Sequence, residues 1–192
     1  MNNNLIITIG REYGTGGREI GQKLALRLGI PFYDRELITR AAKKTGFDEK
    51  LFEQLDKRAT NSFLYSLTMF GSVGLNGMSL TDQLYLAQSN VIREMAEESS
   101  CVIVGRCADY ILRNRPDVVR VFVHADPEFC VEQAMKVDSL PENEVRKKIS
   151  EIDDYRARYY KHHTGHDWYD ARNYDPVSYT HLRAHETRRH LV

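Results

Sequence analysis

The chain has 192 residues and a mass of 22.3 kDa, enough for one domain with a sizeable core. Its 42% hydrophobic and 28% charged residues are the balance of a globular protein rather than a disordered one. Lys+Arg and Asp+Glu both total 27, so no whole-molecule charge draws it to nucleic acid or anionic lipid, and phosphate binding has to be local. Cys101, Cys107 and Cys130 lack CxxC or metal-ligand spacing, which argues against a disulfide-stapled secreted scaffold and for a reducing, cytoplasmic setting. The start, MNNNLIITIG, has no basic segment before its short apolar run and does not read as a signal peptide.

Leu5-Ile6-Ile7-Thr8-Ile9 is a β-branched run without charge, the pattern of a strand buried on both faces. It enters a glycine-rich turn over residues 10–17. The helix after it carries Ile20, Leu24 and Leu28 as its apolar stripe, with Ala25 beside them, and stops at Gly29. A short apolar run, residues 30–34, ends in Asp34. Helical spacing resumes through Leu37, Ile38, Ala41 and Ala42, and Asp48 can cap a further helix with Leu51, Phe52 and Leu55 on one face. No charge appears between Arg58 and Asp82, but Gly71, Gly74 and Gly77 interrupt the segment. It is too polar and too broken for a membrane span and reads as an insertion over residues 59–81.

Thr81 is placed to cap a longer helix with Leu84, Val91 and Met95 as its stripe. Residues 101–104 form a second buried strand leading into Gly105-Arg106. A short helix around Tyr110, Ile111 and Leu112 stops before Pro116, and residues 118–123 make a third strand. Asp126-Pro127-Glu128 is a strong helix start: a cap, proline at the first position and an acid in the first turn. The last long helix is expected from Glu142 to about Tyr160, with Val145, Ile149, Ile152 and Tyr159 facing inward. Strands alternating with helices predict an α/β fold with a mostly parallel sheet. Residues 1–175 read as one domain, whereas residues 176–192 show no core pattern, look like translated adapter read-through, and are expected to be a non-native or disordered tail.

A strand, a glycine-rich turn and a helix make an anion site, because the helix N-terminal N–H groups face the turn. Two nucleotide patterns compete for it. A dinucleotide fingerprint fits Gly14 and Gly16 but meets Glu19 at its third glycine, with Asp34 where a ribose-binding acid would stand. A P-loop fits Gly16 as its second glycine but meets Arg11 at its first and Gly17 at its lysine. A purely structural tight turn is the third reading.

Four blocks in order, ITIGREYGTGGREIG, IPFYDRELI, VIVGRCADYIL and DYRARYYKHHTGHDWYDARNYD, resemble the cytidylate kinase-like family of P-loop nucleoside monophosphate kinases. The resemblance spans residues 5–175. It implies a P-loop kinase fold, an acceptor-side insertion, a lid over residues 142–168, and transfer of the ATP γ-phosphoryl group, with Mg²⁺, to CMP, dCMP or a related monophosphate. It implies that Gly14, Thr15, Gly16, Gly17, Arg18 and Glu19 bind ATP phosphates. Arg40 and Arg106 would hold the acceptor phosphate, with Asp34 and Asp109 as metal or acceptor contacts, and Arg156 and Arg158 would close over the transferring group.

This chain departs from the family pattern at three points, one being that the Ser/Thr that would ligate Mg²⁺ is missing, with Arg18 at its position and Glu19 nearby. Gly17 stands at the P-loop lysine, with Arg18 the candidate replacement, and Val104-Gly105-Arg106-Cys107 stands where cytidylate kinases have D-G-R-D. A nucleotide-binding sensor without turnover is therefore the second hypothesis and a dinucleotide oxidoreductase the third. His162, His163 and His166 read as exposed or lid-facing, His181 and His185 lie in the tail, and no metal site is expected among them. Partners are expected to be small nucleotides rather than nucleic acid or membrane, with a homodimer left open.

Overall fold

The computed structural model describes residues 4–34, 37, 40 and 80–175. β1 (Ile6–Arg11) passes through the glycine loop into α1 (Gly17–Leu28) and on to β2 (Phe32–Tyr33). Beyond residue 79 follow α2 (Leu80–Glu98), β3 (Cys101–Val104), the single-turn α3 (Ala108–Ile111), β4 (Val118–Val123), α4 (Pro127–Asp138) and α5 (Glu142–Thr164). The strands form one sheet in the order β2-β3-β1-β4, every pair parallel. The expected α/β architecture is the one observed. The helices expected near Ala41 and Leu51, the insertion up to residue 79 and the tail from residue 176 lie outside the described residues.

β1 runs through the middle of the sheet, paired with β3 from Ile6 to Ile9 and with β4 from Ile6 to Arg11. Its side chains alternate between two cores, as the two-residue period of a strand requires. Ile6 joins Ile92, Met95, Cys101, Ile103 and Leu112 on one face. Ile7 and Ile9 join Ala25, Val102 and Val104 on the other. Burial on both faces is why the strands read as unbroken apolar runs. A third cluster, Val131, Ala134 and Val145, joins α4 to α5, with Tyr13 packed against it.

Three local expectations are corrected. The face of α1 buried against the sheet is Gly17, Gly21 and Ala25, whereas Leu28 is 45% exposed. Small residues let the helix lie closer to the sheet than a leucine stripe would, with Ile20 and Leu24 packing at the side. Thr81 is not a cap but a buried residue of the first turn of α2, which already includes Leu80. α5 continues one turn past Tyr160 to Thr164 and ends at Gly165, which has φ 76°. The start at Asp126 is as expected: its carboxylate accepts from Glu128 N at 3.0 Å, with Pro127 next in the chain. Among the described residues no helix is long and apolar enough to cross a membrane.

Candidate functional site

Parallel strands bring their C-terminal ends to one edge of the sheet, where ligands of α/β folds gather. Here β1 and β3 end in a cavity of about 250 Å³ whose wall includes Arg11, Asp34, Arg106 and Asp109, with Arg156 and Tyr160 of α5 above it.

Arg11 runs between two glycines. A Cβ on Gly17 would stand 2.6 Å from Arg11 Cβ, and one on Gly105 would stand 2.5 Å from Arg11 Nη1. The first contact is with the root of the Arg11 side chain and requires glycine at 17 while Arg11 lies there; the second is with its mobile end, and at Gly105 the φ of 76° is what favours glycine. Burial, and then the neighbouring Arg156, push the Arg11 guanidinium down to about 9. It still carries its charge at neutral pH, so the direction records a cation whose neighbours compensate it poorly.

Arg156 sits in the same situation, pushed down by burial and partly restored by Asp153. Its Nη1 donates to Asp153 Oδ1 at 2.9 Å and to the carbonyl of Arg11 at 3.1 Å. Asp153 also accepts from Tyr13 N at 3.0 Å, so α5 is tied to the loop that follows β1. Burial raises the Asp153 carboxyl despite these partners.

Arg106 is presented by an unusual turn. Gly105, Arg106 and Cys107 have φ of 76°, 58° and 55°. Left-handed backbone costs a residue with a Cβ about 1–2 kcal/mol, and such strain gathers at functional sites. Below it, Asp109 is buried and accepts from Tyr160 Oη at 2.6 Å, and burial pushes its carboxyl upward. Asp34, just past β2, accepts from Arg18 Nε at 2.7 Å, and the Arg18 side chain is 51% exposed.

The glycine loop lies beside this cavity. Gly14 and Gly16 have φ of 81° and 73°, and α1 begins at Gly17 with no side-chain cap from Gly16, so beyond Gly17 its first turn directs the positive end of the helix dipole toward the loop. Thr15 Oγ1 donates to Glu12 O at 2.9 Å and accepts from Gly17 N at 3.3 Å, holding the turn closed on itself. Glu19 is exposed.

Of the residues expected at the acceptor, Asp34, Arg106 and Asp109 line one cavity, and of the lid arginines Arg156 joins them. Arg18 reaches only its rim, through Asp34. Arg158 is exposed, two residues from Arg156 and hence on another face of α5. Arg40 is 3.9 Å from Glu98 Oε2 and packs over the Tyr33 ring at 5.4 Å, and it is not among the cavity residues. Arg11 is the residue the sequence reading missed. Its signal was present: arginine at the first P-loop glycine together with glycine at the lysine amounts to an exchange of cation and space.

The model of the cytidylate kinase-like family matches residues 6–181. The chain belongs to that family. Membership supports a nucleotide-kinase type of function and sets the oxidoreductase reading aside. An uncharacterized protein from Eubacterium ventriosum is 28% identical, aligned over 90% of this chain and 85% of its own, with a TM-score of 0.65. A shikimate kinase from Bacteroides thetaiotaomicron is 16% identical over 82% of each chain, with a TM-score of 0.46. A search of curated proteins found no match.

Proposed function

We propose that this member of the cytidylate kinase-like family transfers the γ-phosphoryl group of ATP to a nucleoside monophosphate, with CMP or dCMP as the acceptor. In this reading Arg11, Arg106 and Arg156 are the cations that hold the phosphates. The observation that carries it is their convergence. Three arginines converge here with the carboxyls of Asp34, Asp109 and Asp153, and Asp34 is shared with Arg18. Burial, Arg156 and Arg106 all disfavour the Arg11 charge, which a bound anion would relieve, and a planar guanidinium matches two phosphate oxygens at once.

Phosphoryl transfer asks for little else. An oxygen of the acceptor phosphate bonds to the γ-phosphorus as the bond to the ADP oxygen breaks, and catalysis is mostly positioning and charge stabilisation. Arg106, on its strained turn, would hold the acceptor phosphate. Arg11 would stand where a P-loop lysine reaches the β- and γ-phosphates, and Arg156 would close over them from α5. Mg²⁺ takes one or two carboxylates plus phosphate oxygens and water. Asp34 suits that role, since its side chain is 20% exposed and lines the cavity; the ion would supply charge neutralisation there.

A coupled assay of ATP consumption with CMP, dCMP, UMP, AMP and no acceptor tests this reading. Turnover that depends on CMP or dCMP is expected. Tight nucleotide binding with no acceptor-dependent turnover would instead establish the sensor reading.

A further inference from the structure

The fold brings together three metal-ligating side chains that are far apart in the chain. Asp82 lies in the first turn of α2, and His162 and His163 lie in the last turn of α5. Asp82 Oδ1 is 3.1 Å from His162 Nε2 and 3.7 Å from His163 Nδ1, and the three donor atoms all lie within 4.8 Å of one another. With metal–ligand bonds of about 2.0–2.1 Å, those two separations subtend about 100° and 130°, which bracket the tetrahedral angle.

His163 is held rigidly beside Asp82. Its side chain is 3% exposed. Its ring is fixed by stacking on Tyr85 at 4.2 Å and by edge contact with Tyr159 at 4.4 Å. Its Nε2 has no hydrogen-bond partner, and its Nδ1, aimed at Asp82, stands beyond hydrogen-bond distance.

We infer that Asp82, His162 and His163 form a binding site for a divalent transition metal of the zinc class, clamping the start of α2 to the end of α5. Two imidazoles and one carboxylate suit zinc, cobalt or nickel rather than magnesium or calcium, which take oxygen donors. The half-exposed His162 and Asp82 side chains, 45% and 36% exposed, give the ion a path in, and water fills the remaining coordination positions. Tyr159, in edge contact with His163, also lines the nucleotide cavity, so the bound ion stiffens a wall of that cavity. The inference does not rest on the kinase reading.

The test is calorimetric titration of the metal-stripped full chain with Zn²⁺, joined by titration with Co²⁺ followed by its visible absorption. Three proteins are compared: the wild type, Asp82→Asn/His162→Ala, and His181→Ala/His185→Ala, the last removing the chain's other closely spaced histidine pair. Expected are one Zn²⁺ per chain, the intense Co²⁺ bands of a four- or five-coordinate site, at least tenfold weaker binding in the first variant, and unchanged binding in the second. Melting in chelator checks that the first variant is folded; should it not be, His162→Ala alone, at an exposed side chain, is read in its place. No stoichiometric binding by the wild type overturns the inference. So does equal affinity after loss of Asp82 and His162, or loss of binding on removing His181 and His185.

Discussion

Arg11 is a cation held against its own electrostatics: burial and Arg156 both disfavour its charge. A site arranged for an absent anion is expected to trade stability for function. Arg11→Met keeps most of the stem and removes the charge. Its thermal midpoint should equal or exceed that of the wild type, while nucleotide affinity falls about 10–100-fold, the equivalent of one charge-assisted hydrogen bond. Arg18→Ala removes a half-exposed pair with Asp34 and should change affinity by less than about threefold, since such pairs are worth little. Calorimetric titration of both variants with ATP distinguishes the two arginines; the reverse order would return the phosphate role to Arg18. Asp109 carries a pH signature. Its carboxyl is raised in the fold, chiefly by burial. Its contribution is therefore favourable while protonated and is lost as pH rises through the folded value. Asp109→Asn stays neutral and can still accept from Tyr160. Melting curves across pH should show the wild type losing ground to Asp109→Asn as pH rises from 4 to 7; parallel curves would mean that the carboxyl is not raised.

At the scale of elements, the site depends on how closely β1, α1 and α5 approach one another. Gly17→Ala places a Cβ against the Arg11 side chain, so it should lower stability by about 1–3 kcal/mol through overpacking, even though alanine is the better helix former. Asp153→Ala leaves Tyr13 N–H and Arg156 without their carboxylate. It should cost a further few kcal/mol, as removal of one partner from a buried charged network does. Denaturant unfolding measures both; losses under 0.5 kcal/mol would show that these contacts do not hold the loop. The strands were legible because burial on both faces imposes unbroken apolar runs, and the Asp126 start was legible because its cap is local. The buried face of α1 was not. Its large residues and Ala25 mark the period, but Gly17 and Gly21, which complete the buried face, carry no apolar signal. The last turn of α5 is the part the apolar period does not mark: past Tyr160 the residues KHHT are polar, although nothing interrupts the helix before Gly165.

For the whole molecule, the parallel order β2-β3-β1-β4 gathers strand ends into one cavity, and the sequence foretold that edge through its glycine loop and its Gly105-Arg106 turn. It could not foretell which arginines meet there. Arg156 Nη1 reaches the carbonyl of Arg11 across 145 residues, and His162 reaches Asp82 across 80; neither distance leaves a local pattern. Only the helix geometry of α5 separates the inward Arg156 from the exposed Arg158. A site whose cations repel until an anion arrives should make ligand and stability strongly linked. ATP at a hundred times its dissociation constant adds about 2.7 kcal/mol, and scanning calorimetry should show the midpoint rising by about 5–10 °C. A midpoint that ATP leaves unmoved would argue against a nucleotide site.

The central claim is that the buried arginines make a site for phosphoryl transfer. Its most direct test is CMP-dependent ATP consumption by the wild type and by Arg11→Met, each shown to be folded by its melting curve. Turnover in the wild type should require CMP and fall at least tenfold in Arg11→Met without loss of melting temperature. Equal turnover in the two proteins would contradict it.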